Sequence, residues 1–348
     1  MKQTKLILCV SALIVQSMSV QSQETSPLQH VSMEALRLEY VKPDSIPTPE
    51  DNKQTPAKVE LGKMLYFDPR LSQTGNMSCA TCHNPAFGWQ DGLSTGRGHK
   101  GNRLGRHSPT ILNLAWAPRL FWDGRAMTLE EQAKGPMLAD AEMGMTEKSV
   151  LQTIKSIDGY RQSFFEVFPE SGISLDNIAK AISAYERTIV SPDAPFDKWI
   201  KGDEKALSEA EKRGFVLFNT KAKCAVCHSG WRFTDDGFHD VGLTSDDSGR
   251  AKVVQNVPTL THAFKTPTLR NIVDRAPYMH DGSIATLHEV IRHYEDGFIQ
   301  RTSLAWGMTG FKLTDQERDE LVAFLGTISS YEGVTLPKLP PITNHQGE

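Results

Sequence analysis

Four cysteines in two short phrases carry the most explicit chemistry of this chain: CATCH at 79–83 and CAVCH at 224–228. In each, two thiols three positions apart are followed directly by an imidazole. That spacing suits covalent attachment of a c-type haem. Cys79 and Cys82, and again Cys224 and Cys227, would form thioethers to the porphyrin vinyl groups, and His83 and His228 would reach the iron from one face. A C-x-x-C pair can also hold zinc, act as a redox dithiol or close a disulfide in an exported protein. The histidine after both pairs favours two haems.

No cysteine is left over for other work. The fifth, Cys9, lies in an apolar run from Leu6 to Val15 that follows Lys2 and Lys5 and precedes small and polar residues up to Ser22. Residues 1–22 therefore read as a secretory signal peptide, too short to span a bilayer, and predict a periplasmic chain with no membrane span. Its removal takes the formal charge from −4 to −6, which argues against nucleic acid and suits a basic protein partner. The remaining length and composition allow about two domains.

The second signal is an internal repeat. At a fixed offset of 158, Pro109, Thr110, Asn113, Asp123, Gly124, Thr128, Leu129 and Glu131 fall on Pro267, Thr268, Asn271, Asp281, Gly282, Thr286, Leu287 and Glu289. Two copies of one haem domain explain this economically. Equivalent copies would present equivalent helix positions to their haems. Eight residues after Thr286 stands Tyr294, whose phenolate can ligate ferric iron. Eight after Thr128 stands Pro136, which offers no side-chain ligand. One iron would then be closed by the chain and the other left open, although a half-buried tyrosine bonded to a carbonyl fits the same position.

Around these sites the periodicity is helical. Ser208 and Glu211 form a capping box before a helix bearing Phe215 and Phe218; Leu61, Gly62, Leu65 and Tyr66 repeat the idea before the first motif. Ile178, Ile182, Tyr185 and Ile189 share one face, and Thr314 and Glu317 cap a helix carrying Leu321, Phe324, Leu325 and Ile328. The predicted fold is mainly α: two cytochrome c-like haem domains related by internal duplication, spanning 23–195 and 196–348.

The two haem motifs, LGKMLYFDPRLS, FWDGRAMTLEEQAKGP, AEMGM, TPTLRN and APYMHDGSIATLHEVIRHY make the chain resemble the bacterial di-haem cytochrome c peroxidase family from about Leu61 to Ile328. Tyr294, where the peroxidase branch has methionine, makes it similar to the MauG-like branch; Met279 and Met308 fit the repeat less well. The resemblance implies an electron-conducting role between the haems for Trp122, which on its own pattern is equally a core aromatic. It also implies a distal pair in Gln132 and Glu142 and a cap on the open side in Pro136. Glu142 would move the peroxide proton between oxygens. His99 matches a histidine that ligates the resting first iron in the peroxidase branch. His107 replaces an asparagine that helps bind calcium between the domains; imidazole is a poor calcium ligand, which leaves carbonyls near Arg275 and Pro277 to hold the ion.

The activity so implied is reduction of hydrogen peroxide at the N-terminal haem, with electrons relayed through the C-terminal haem from a small cytochrome c or cupredoxin. The alternative is oxidation of a partner protein's side chain, such as tryptophan, through a high-valent di-haem state. A non-catalytic electron-transfer cytochrome is the reading from a different class.

Overall fold

The computed structural model describes residues 33–342; the expected signal peptide lies outside the described residues, as do Cys9, His30 and His345. The first half contains α1 (Met33–Glu39), α2 (Pro56–Phe67), α3 (Cys79–Cys82), α4 (Leu129–Leu138), α5 (Glu147–Lys155), α6 (Asp158–Val167) and α7 (Leu175–Glu186). The second has α8 (Pro195–Ile200), α9 (Glu209–Asn219), α10 (Leu287–Arg292) and α11 (Asp315–Thr327), with a two-stranded antiparallel ribbon of β1 (Phe238–His239) and β2 (Phe264–Lys265). No helix among the described residues is long and apolar enough to cross a membrane.

Each half is built on one crossing of two helices. α2 starts at Thr55, whose hydroxyl accepts the Lys58 N–H, with Pro56 pre-set for the first turn. It buries Leu61, Leu65 and Tyr66 against Ile178, Ala181, Ile182 and Tyr185 of α7. The helices touch at Gly62, where a Cβ would come within 1.8 Å of the Ala181 carbonyl oxygen. The second half repeats this device. α9 and α11 both begin in the expected capping boxes, and a Cβ on Gly214 would come within 2.0 Å of the Glu320 carbonyl oxygen. Phe215, Phe218, Leu321, Phe324 and Ile328 fill the core between them.

The repeat is also exact in backbone terms. Asn113 and Asn271 take left-handed φ values of 61° and 58°, each opening a short 3-10 turn. Their side chains bind the end of the crossing helix's extension, at Ser191 and Ser330. Thr128 caps α4 and Thr286 caps α10, each accepting the N–H of the glutamate three residues on. Bridges Leu120–Ala126 and Tyr278–Ile284 stand at the same offset.

The end segments of the described chain cross over between the cores. Tyr40, just after α1, is fully buried in the second core among Phe196, Phe215 and Phe233, and its hydroxyl donates to Asn219 Oδ1 at 2.9 Å. At the other end, the Pro340 carbonyl accepts from Arg70 at 2.9 Å and Val334 packs on the first core. A division into 23–195 and 196–348 places these segments by chain order, whereas packing places them by where their apolar surface is covered.

Candidate active site

α3 is a single turn of helix that begins at Cys79, after Ser78, and closes with the His83 N–H on the Cys79 carbonyl at 2.9 Å; His228 makes the same bond to Cys224 at 2.9 Å. In the first motif both thiols and the imidazole line one cavity. All four cysteines are free thiols. Burial pushes Cys82 and Cys224 up to about 12 and raises Cys79 as well. Redox dithiols work through lowered thiol pKa values, so the Cys79–Cys82 pair is poorly suited to that role.

Burial also keeps the imidazoles neutral, as an iron ligand must be. His228 is brought down to about 4 and shares its Nδ1 proton with the Phe233 carbonyl at 2.9 Å, which leaves Nε2 free to ligate. His83 is lowered by the same burial, and its Nδ1 is buried without a partner.

Next to the first motif lies a cavity of about 530 Å³. His83, Trp122, Gln132, Pro136 and Glu142 all line it, together with Glu186. α4 supplies Gln132 and Pro136; the turn after it supplies Glu142, whose carboxyl is raised by burial and partly offset by the charge of Arg125. Trp122 is pinned by two bonds: its indole N–H donates to the His107 carbonyl at 2.8 Å, and its own carbonyl accepts the Lys265 N–H from β2 at 2.8 Å. It therefore joins the two halves. Arg106, Arg232, Lys265 and Arg275 also line the cavity. Arg275 is buried, donates only to the Asn271 and Thr268 carbonyls, and is brought down to about 10 by burial. A buried guanidinium without a carboxylate calls for an anion. Porphyrin propionates are of that kind, so the thiols, imidazoles and cations together fit a c-type haem.

At the second motif the expected single helix divides. α10 ends at Arg292, and Tyr294 sits in a π-helical turn, His293–Gly297, a widening that recurs at functional sites. Glu295 holds that turn: buried, it accepts the Leu313 N–H at 2.8 Å and the Arg318 guanidinium at 2.9 Å. The Tyr294 hydroxyl is raised by burial first and then by the Cys227 and Cys224 thiols, which places it beside the second motif. Pro136, its counterpart, stays inside the continuous α4.

Two further expectations concern His99 and His107. His99 does not line the cavity; its buried ring packs on Gly144, with Nε2 3.2 Å from the Asp140 carbonyl. The Glu142 carbonyl, by accepting the His99 N–H at 2.7 Å, ties that loop in place. Nor do the residues near His107 fit calcium. Its Nδ1 lies 2.7 Å from the Leu93 carbonyl, the Ala276 carbonyl takes Gln90 at 3.3 Å, and the buried Arg275 already adds positive charge there. Among the described residues the only cluster of three His, Cys, Asp or Glu ligands is Cys227, Asp235 and His239, at the second haem motif.

Glu186, Arg275 and the Asp123–Arg106–Asp247 bridge between the halves escape a motif reading. Glu186 stands four residues after Ile182 on the buried face of α7, and a carboxylate on an apolar stripe was the available signal.

Fold and donor set define a c-type cytochrome with two haem sites and a cavity at one of them. Residues 56–205 match the family described as di-haem cytochrome c peroxidase, and residues 211–329 that described as cytochrome c. The methylamine utilization protein MauG of Methylorubrum extorquens is 44% identical over 339 residues, 96% of each chain. The protein of that name from Methylophilus methylotrophus is 48% identical over 295 residues, 84% of this chain and 88% of that one. A crystal structure of a MauG-like protein associated with microbial copper homeostasis matches with a TM-score of 0.77 at 32% identity, covering 84% of this chain and 94% of that one. The chain belongs to the di-haem cytochrome c peroxidase family and is an oxidoreductase of its MauG-like kind, with two c-type haems.

Proposed function

We propose that the chain works in the periplasm, reduces hydrogen peroxide in the cavity beside His83, and draws the two electrons through the His228 site from a side chain of a partner protein. The observation that carries this is the unequal pair Tyr294 and Pro136, one beside the second motif's thiols and the other lining the first motif's cavity. When bound, haem iron supplies the electron-accepting and peroxide-cleaving chemistry.

The chain's own residues do the rest. Pro136 has no side-chain donor or ligand atom and leaves the face above the first site open. Glu142 accepts the proton of the nearer peroxide oxygen and returns it to the departing one, and Gln132 offers an amide to orient the substrate. With two electrons and two protons, peroxide leaves as two waters. Trp122, fixed between the halves, is placed to pass electrons. His228 and Tyr294 are the residues that would hold the second haem, and an anionic phenolate there would stabilise the oxidised state and disfavour entry of electrons from a high-potential donor. That property favours a protein side chain over a small cytochrome c as the source.

The test is Tyr294→Met in the holoprotein. The ferric absorption and EPR signals of the second site should change, with a gain in peroxide turnover on reduced cytochrome c. Unchanged second-site spectra would remove Tyr294 from the ligand set and overturn the assignment.

A further inference from the structure

The cavity holds a second carboxyl that the steps above do not use. Glu186, the last residue of α7, is 5% exposed and lines the same space as Glu142, Gln132 and Pro136. Its Oε2 is buried with no hydrogen-bond partner. The adjacent cation is committed elsewhere: Arg187 makes a two-pronged pair with Glu130 of α4, at 2.7 and 3.0 Å. The other titratable groups facing Glu186 are Tyr66 of α2, Cys79 of α3 and Tyr185 of its own helix, none of them cationic. The two carboxyls face different thiols of the first motif. The charge of Glu142 bears on Cys82, and that of Glu186 on Cys79.

A buried carboxyl with a free oxygen and no cation is stable as the neutral acid, which carries a proton into the cavity. Peroxide reduction needs this. Glu142 only shuttles the proton peroxide brings, whereas conversion to two waters consumes two protons from outside the substrate. We propose that Glu186 is the proton store of the peroxide cavity, holding one of those two protons next to the first haem site before the substrate arrives. This rests on the reading given under Proposed function. Burial supports the proposal by pushing Glu186 up to about 8, against a smaller lowering by Arg187, so the acid is neutral at physiological pH.

The experiment uses the holoprotein, with haem content and the spectra of both sites confirmed for each variant. Infrared titration of the wild type should show the carbonyl band of a neutral carboxylic acid that is lost as pH rises through about 8. Glu186→Gln should abolish it and Glu142→Gln should leave it. In stopped flow, wild-type consumption of peroxide should fall across the same pH range. Glu186→Gln should be slower by about tenfold at pH 6, below the span of a direct acid–base group, and should lack that falling limb, while Glu186→Asp restores it. A band titrating near 8 that survives in Glu186→Gln, or superimposable peroxide profiles in a wild type that does consume peroxide, overturns this proposal alone. A wild type inert to peroxide overturns the reading beneath it as well.

Discussion

Glu142 and Glu186 have the same side chain in one cavity and are set apart by their neighbours. Glu142 is raised by burial but feels Arg125; Glu186 is raised further, to about 8, by its burial, which Arg187, paired with Glu130, offsets only in part. A proton acceptor works only when ionised, so the raised pKa of Glu142 places the rising limb of the peroxide rate above the ordinary glutamate range. Glu142→Gln should lower the peroxide rate by about 10²-fold or more, with haem content unchanged, read by stopped-flow absorption. Tyr294 and Pro136 are legible from the sequence because the repeat aligns them without a gap. His99 was not, because whether a loop histidine turns into a cavity depends on contacts with Gly144 and Asp140 that no local pattern encodes.

At the level of elements, helix crossings do the positioning. α7 brings Ile182 and Glu186 to the cavity only because Gly62 lets it lie on α2, and Gly214 does the same for α11 on α9. Gly62→Ala drives a methyl into the Ala181 carbonyl oxygen and should cost about 1–3 kcal/mol, typical of overpacking. The check is a lower thermal midpoint of the holoprotein, with loss of the first site's spectrum before the second's. The helix capping boxes at Ser208 and Thr314 were readable directly, since caps are local chemistry. The π-helical turn at His293–Gly297 was not: it is held by Glu295 reaching Leu313 and Arg318, eighteen or more residues away.

Across the whole molecule, the ties between the halves include the Arg106 bridge from Asp123 to Asp247, Trp122 on β2, and the crossed end segments of the described chain. The crossing has a consequence for stability. Tyr40 lies near the start of the described chain yet fills the second core, so Tyr40→Ala should destabilise by about 3–5 kcal/mol, the range for truncating a buried aromatic. Urea unfolding followed at each haem's own absorption should show the second site lost earlier while the first keeps its midpoint. The opposite order would place Tyr40's contribution in the first core.

Sequence alone determined the covalent chemistry, the duplication and the helical periods, because each is written in spacings of a few residues or in one constant offset. Tertiary structure decided which carboxyl is starved of a cation, which histidines line the cavity, and where the two ends of the described chain pack. Those outcomes depend on desolvation and on partners drawn from distant parts of the chain, and neither quantity exists until the cores have formed.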